Sequence, residues 1–311
     1  MGAPVTILMS VRNGEPYVEE AVRSLLIQTY GDFTFLILDN ASTDRTRAVI
    51  RGFRDSRIQL VELERDLGQT GALNHGLALS DTPYIARMDA DDIALPSRLE
   101  RQMQFLIGHP EVALLGTWFE GIDPEGRVIG RHSPPAEHTE ILKAMLFENP
   151  FAHASTVFNR QVALAFGGYD PSFRCAQDYA LWWRIALAHR VANLPEFLVQ
   201  VRSHGGQASH TFKREVPGEL LRIVRSALRA SNLPEEVRRL ARSARGYADL
   251  KYAAGISEVG HRLRGLVWMV RSIAQAPSLV GQREAVTQMA RVLRTWPGFG
   301  AMRGARRAPS P

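Results

Sequence analysis

The sequence has a single cysteine, Cys175, in 311 residues. That excludes an intrachain disulfide and any zinc finger built on cysteines. It fits a reducing compartment. No apolar run approaches the roughly 20 residues of a membrane span, and the longest candidates, such as 266–270, fall far short. Met1-Gly2-Ala3-Pro4 places no basic segment ahead of the first apolar run, so no secretory signal is expected. A phosphate loop of the form G-x-x-x-x-G-K-[ST] is missing. The nearest dinucleotide-like string, Gly298-Phe299-Gly300, follows no strand and carries no weight. Acids are scarce at one end: from His261 onward there are nine arginines and one acid, Glu284. The expectation is a soluble or peripheral cytoplasmic chain with a basic carboxyl end.

What is present is an ordinary globular composition, 45% hydrophobic with a net charge of +6. Val5-Thr6-Ile7-Leu8-Met9-Ser10-Val11 reads as a buried parallel strand. The spacing of Val18, Ala21, Val22, Leu25 and Leu26 predicts a helix over 17–28. Further strands are predicted at 33–38, 58–63, 84–88 and 112–116. Helices fall between them, at 69–80, at 96–108 and after a cap at Ser42 or Thr43. Asp123-Pro124-Glu125-Gly126 signals a hairpin. Helices are predicted over 138–148 and 176–188, with a mixed strand region over 191–201. The alternation argues for an α/β fold, Rossmann-like and doubly wound, with a mainly parallel sheet. Beyond residue 210 the strands stop. Four amphipathic helices over 219–296 predict a helical appendage across 211–300, and 301–311 reads as a disordered tail.

The chemistry concentrates at Tyr84-Ile85-Ala86-Arg87-Met88-Asp89-Ala90-Asp91-Asp92. A short, mostly apolar strand ends there in three carboxylates. Open α/β sheets bind ligands at the carboxyl ends of their strands. Two acids spaced Asp-x-Asp offer hard oxygens of the kind Mg²⁺ or Mn²⁺ takes, with substrate phosphates completing the shell. A solvated turn with capping acids is the alternative on this motif alone. Asp39 ends the second strand in the same manner.

Several segments together resemble glycosyltransferase family 2, inverting enzymes with a GT-A fold. They are Val5 through Glu15, Ser24-Leu25-Leu26-Ile27-Gln28-Thr29-Tyr30, Leu38-Asp39-Asn40-Ala41-Ser42-Thr43-Asp44 and Gly71-Ala72-Leu73-Asn74-His75-Gly76-Leu77. Next come Ala86 through Asp92, Gly167-Gly168-Tyr169-Asp170, Ala176-Gln177-Asp178-Tyr179-Ala180-Leu181-Trp182 and Val201-Arg202-Ser203-His204. Their order and spacing carry the likeness over about residues 4–210, within a catalytic domain expected at 1–210. The resemblance implies a nucleotide-diphosphate sugar donor, UDP-linked in most of the family, a divalent cation (Mn²⁺ or Mg²⁺), and an acceptor hydroxyl on a glycan or lipid-linked molecule. It implies Asp39 at the nucleobase and ribose, Asp89 near the ribose, Asp91 at the metal and diphosphate, and Asp178 as catalytic base. Ser10, Arg12, Asn13, Glu15, Asn74 and Ala90 join the donor-binding set on the same ground. Gln177 and Ala180 depart from the family, which often has acids there.

Single displacement at an anomeric carbon needs a carboxylate to take the acceptor proton, and Asp178 at the start of a helix would be kept ionised by the helix dipole. His204 follows the last strand of the core and is a candidate diphosphate or metal contact; a surface or packing histidine is the alternative. Arg65 or Arg87 could meet phosphate. One of Trp182 and Trp183 could stack on an acceptor sugar. Asp92 reads as a cap. Arg262, Arg264, Arg271, Arg283, Arg291 and Arg294 on amphipathic helices make an anionic membrane a candidate partner, at the inner face of the cell membrane. No nucleic-acid module is visible. A nucleotidyltransferase would need a glycine-rich basic loop, and the stretch from Ser10 to Glu15 has one glycine and one arginine. A non-catalytic nucleotide-sugar scaffold would have no use for Asp178.

Overall fold

Seven residues with only two hydroxyls among them, Val5–Val11, form β1 and are buried almost throughout. Parallel strands lie on both sides, β2 (Phe33–Asp39) and β4 (Tyr84–Met88), with β3 (Ile58–Glu62) beyond β2. Parallel neighbours require crossover connections. Helices α1 (Val18–Leu26), α2 (Thr46–Gly52) and α3 (Gly68–Leu79) supply them. α1 buries Val18, Ala21, Val22 and Leu25, the face read from the sequence. The computed structural model describes residues 3–206 and 215–295. The chain divides into two units, 1–207 and 208–311. The tail expected at 301–311 lies outside the described residues.

After β4 come β5 (Ile93–Ala94), α4 (Arg98–Gly108), β6 (Val112–Ile122), β7 (Val128–His132), α5 (His138–Met145), β8 (Val157–Asn159), α6 (Arg160–Ala165), α7 (Gln177–Ala188) and β9 (Arg190–Arg202). The sheet runs β3-β2-β1-β4-β8-β6-β9-β5, with β7 on β6. Its first half is parallel. In the second half β8 is antiparallel to both β4 and β6, so β6 and its parallel partner β9 point the same way as β4. β5 has two residues, too few to carry a period. The strand predicted at 112–116 continues to Ile122 as one arm of the hairpin, and the mixed region after 190 is a single thirteen-residue strand.

Register decides what meets at the sheet edge. Val11 lies beside Asp39, and Met9 beside Met88. The loops that begin at Arg12, Asn40 and Asp89 therefore leave from one edge. β9 delivers Arg202 and the following His204 to that edge as well.

The second unit is helical among its described residues: α8 (Val216–Ala227), α9 (Glu235–Arg238), α10 (Ala241–Glu258), α11 (Arg262–Gln275) and α12 (Arg283–Arg294). Five helices stand among the described residues where the sequence predicts four, because α9 and α10 are separated at Arg239-Leu240. α10 packs on α8, α11 and α12. Leu221, Val224 and Ala248 form a small core with Leu228, Tyr252 and Trp268 around it. Gly265 allows α11 onto α10: a Cβ there would stand 1.7 Å from the Ser257 Oγ.

Candidate active site

Two loops at the sheet edge are sewn together. The Asn13 N–H donates to the Ser42 Oγ (3.0 Å), and the Thr43 N–H to the Asn13 Oδ1 (2.8 Å). The Gly14 N–H donates to the Thr46 Oγ1 (2.9 Å), and the Glu15 N–H to the Asp44 Oδ2 (3.2 Å). Ser42 and Thr43 do not cap α2; Asp44 accepts from the Thr46 N–H at 3.0 Å instead. Arg45 grips both oxygens of Glu15 and holds that carboxyl below its usual range. Asn13 and Ala41 take positive φ, 54° and 58°, which costs a non-glycine residue energy. Arg12 pairs with Asp66, which also accepts from the Asn40 side chain at 2.7 Å. Ser10 is half-buried on β1, one residue before the edge and beside Leu38.

Asp39 is fully buried. Its Oδ1 accepts from the Arg47 Nε at 2.6 Å and the Ser42 N–H at 3.1 Å. Its Oδ2 is buried without a hydrogen bond among the described residues. A buried acceptor left open is costly and marks a place for a donor group.

Three buried arginines hold the acidic turn after β4. Arg87, Arg98 and Arg202 are at most 2% exposed. Arg87 donates to the Asp89 carboxylate and to the Leu8 carbonyl. Arg98 donates to the Arg87 carbonyl at 2.8 Å; burial, against the pull of Asp92, brings its guanidinium down to about 9. Arg202 donates through Nε to the Asp91 carbonyl (2.9 Å) and through Nη1 to the Asp123 and Pro124 carbonyls (3.2 and 2.9 Å). Asp92 accepts the Arg202 N–H at 2.8 Å. It is therefore no helix cap but a buried brace, and burial pushes its carboxyl far above the usual range. Burial also raises Asp89, with Arg87 opposing. Arg87 has no exposed surface to offer a phosphate. Arg65 is exposed. Ala90 links Asp89 to Asp91.

His204 meets the turn from β9. Its Nε2 lies 2.9 Å from the Asp91 Oδ2, and the Tyr17 ring stands 4.9 Å from its own. Among the described residues no group of three or more His, Cys, Asp or Glu side chains could hold a metal ion. The pair nonetheless fits a divalent ion. Two donors about 2.1 Å from an octahedral ion and at right angles stand about 3 Å apart. One carboxylate and one imidazole suit Mn²⁺ better than Mg²⁺, which prefers oxygen alone.

Asp178 sits in the first turn of α7 and is half-buried. Asn149 donates its Nδ2 to the Asp178 Oδ2 at 2.9 Å, while the Asn149 Oδ1 accepts the Phe151 N–H at 3.2 Å. Burial outweighs the hydrogen bonds from Tyr179 and Asn149 and raises this carboxyl to about 6, which leaves it mostly ionised at neutral pH. The negative charge of Asp89 adds to the rise, which puts the two acids within electrostatic reach. Nearby, His153 Nε2 and the Tyr169 hydroxyl are 3.0 Å apart. Burial holds His153 well below its usual range and raises the Tyr169 phenol.

The Asn74 side chain engages the Tyr169 backbone with both of its polar atoms. Its Nδ2 donates to the Tyr169 carbonyl (2.7 Å), and its Oδ1 accepts the Tyr169 N–H (2.9 Å). It pins the Gly167-Gly168-Tyr169 turn, where Gly168 has φ +68° and a Cβ would stand 2.6 Å from that Oδ1. Trp182 and Trp183 are both buried, so neither presents a face to a sugar. Gln177 donates to the Gln69 Oε1 at 3.2 Å. Asn149, Arg47, Arg98, Tyr17 and Asp66 were not expected at the site. Asn149, Tyr17 and Asp66 contact it from elements distant in the chain, and Arg47 and Arg98 from the helices that follow β2 and β5.

The family model for glycosyl transferase family 2 matches residues 6–166. The amylovoran biosynthesis glycosyltransferase AmsE of Erwinia amylovora is 34% identical over 203 residues, 64% of this chain and 76% of that protein. Among solved structures, residues 1–349 of S. aureus TarS in complex with UDP superpose with a TM-score of 0.66 at 14% identity, over 98% of this chain and 93% of that one. The mannosyltransferase PcManGT from Pyrobaculum calidifontis, in complex with GDP-Man and Mn²⁺, gives 0.63 at 18% identity, over 99% and 89%. At these identities the structures speak for the fold: the first unit shares the GT-A arrangement.

Proposed function

The chain belongs to glycosyl transferase family 2, and from that premise we propose that it moves a sugar from a nucleoside-diphosphate sugar to an acceptor hydroxyl by one inverting displacement. The observation that carries the reading is that Asp39, Asp89 and the Asp91–His204 pair meet at one sheet edge, with Asp178 within electrostatic reach of Asp89. Asp39 offers its open Oδ2 to an N–H or O–H of the nucleoside. Asp89, clamped by Arg87, stands near the ribose. The loop pair from Ser10 to Glu15 and from Asn40 to Asp44 frames the nucleoside, and Asn74 acts by holding the Tyr169 turn.

Asp178 takes the proton of the acceptor hydroxyl as that oxygen bonds to the anomeric carbon. The bond from that carbon to the diphosphate oxygen breaks on the opposite face, and the nucleoside diphosphate leaves with the electron pair. Proton removal of this kind contributes about 10²- to 10⁴-fold in rate. Asp91 and His204 would hold a divalent ion, Mn²⁺ before Mg²⁺, whose Lewis acidity neutralises charge on the departing diphosphate. The UDP bound to one fold neighbour supports a uridine donor, and the Mn²⁺ bound with GDP-Man to another supports this ion. AmsE acts in amylovoran biosynthesis, which supports a glycan or lipid-linked acceptor in polysaccharide assembly.

A thermal-shift panel of UDP, GDP, CDP and dTDP with their sugars, with and without Mn²⁺, tests the donor. Proton NMR of the product's anomeric coupling then tests inversion. A product that keeps the donor's anomeric configuration removes the single displacement. Stabilisation by GDP but not UDP removes uridine.

A further inference from the structure

In the helical unit one apolar surface stays uncovered. α11 turns Gly265, Met269 and Ser272 inward. A helix of a globular unit needs one apolar face, and α11 has a second. Leu263, Val267 and Val270, four and three residues apart, are 68%, 60% and 58% exposed. Ala274 extends the stripe and is exposed too.

The rim of this stripe is cationic. Arg262, Arg264 and Arg271 are all exposed. Arg262 and Arg264 have no ion-pair partner among the described residues, and the Arg271 guanidinium lies 5.3 Å from the Trp268 ring centre. No acid occurs on α11. The asymmetry extends beyond the helix: with nine arginines and Glu284 set aside from the +6 total, residues 1–260 carry −2. The positive charge of the chain is therefore a property of the segment that exposes the stripe.

We propose that this face of α11 docks on an anionic lipid surface. Leu263, Val267 and Val270 enter the boundary between headgroups and acyl chains, and Arg262, Arg264 and Arg271 meet the lipid phosphates. No described helix is long and apolar enough to cross a membrane, so α11 lies in the plane of the interface. A second copy of the chain is a poorer occupant, because pairing two such faces brings two strongly basic segments together.

The full chain is sedimented with vesicles of phosphatidylcholine alone or mixed equally with phosphatidylglycerol, at low and high salt. Binding to the anionic vesicles is expected to be at least about tenfold stronger, and to fall at high salt. Val267→Ser with Val270→Ser should weaken it at least about tenfold. Arg262→Gln with Arg264→Gln should weaken it about fivefold per charge and flatten the salt dependence. Both pairs are exposed, so melting should match the wild type. No binding to anionic vesicles at low salt overturns the proposal, as does binding that both double variants leave unchanged. So does a lipid-free dimer in ultracentrifugation that Val267→Ser with Val270→Ser dissolves.

Discussion

Asp178 is held between two demands. A base must ionise to accept a proton, and burial resists ionisation, bringing this carboxyl to about 6. The rate should therefore fall tenfold per pH unit below an acid limb near 6, read from kcat/KM against pH. Stability moves the opposite way. The folded value lies above the unfolded one, so the contribution of this group is fully present below about 4 and is lost as pH rises through 6, at most about 3 kcal/mol. Asp178→Asn cannot ionise. It should abolish transfer, keep nucleoside diphosphate binding, and melt above the wild type at pH 8 but not at pH 4; equal melting at both values would mean that burial does not strain this carboxylate. Asn149 tunes the same group. Its Oδ1 is committed to the Phe151 N–H, so its N–H points at Asp178 and favours the anion. Asn149→Leu should move the acid limb up by about one pH unit, whereas a lower rate with an unmoved limb would reduce Asn149 to a packing role.

At the scale of elements, the acidic turn depends on groups that no short motif contains. Arg202 reaches the carbonyls of Asp91, Asp123 and Pro124 and the Glu20 carboxylate with one planar fork. A lysine has a single nitrogen on a flexible stem. Arg202→Lys should cost about 3 kcal/mol in denaturant unfolding and weaken Mn²⁺ binding by calorimetry, because Arg202 and His204 leave β9 together. Intact Mn²⁺ affinity in a destabilised variant would separate the brace from the metal pair. The sequence made this edge legible only in part. Buried strands such as Val5–Val11 announce themselves by composition, and an acid at the end of each strand follows from where that strand must stop. Asp39 and the Asp89–Asp91 turn are placed in that way, at the ends of β2 and β4, whereas Asp178, in the first turn of α7, follows from the family resemblance alone. Asp92 was misread as a cap, because its partner, the Arg202 N–H, is 110 residues away. The role of Asn74 in holding the Tyr169 turn was hidden for the same reason, because that turn is 95 residues on. Burial of both Trp182 and Trp183 reflects α7 being enclosed on most sides, which a helical period describes poorly.

At the scale of the whole molecule, the two units carry separate cores and opposite tasks. The candidate donor site lies within 1–207, and the uncovered basic face within 208–311. A chain with two cores need not melt in one step. A ligand stabilises only the cooperative unit that binds it, by about 2.7 kcal/mol at one hundred times its dissociation constant. Mn²⁺ with UDP should therefore raise one calorimetric transition, that of the sheet-containing unit, and leave the helical unit's transition in place. UDP alone should give a smaller rise, because Asp91 and His204 then face a bare diphosphate with no cation between them. Asp91→Ala should erase the increment due to Mn²⁺ and retain the part due to the nucleoside, which depends on Asp39. An Mn²⁺ increment that survives Asp91→Ala would move the ion elsewhere. A single transition shifted as a whole would show that the two cores unfold as one.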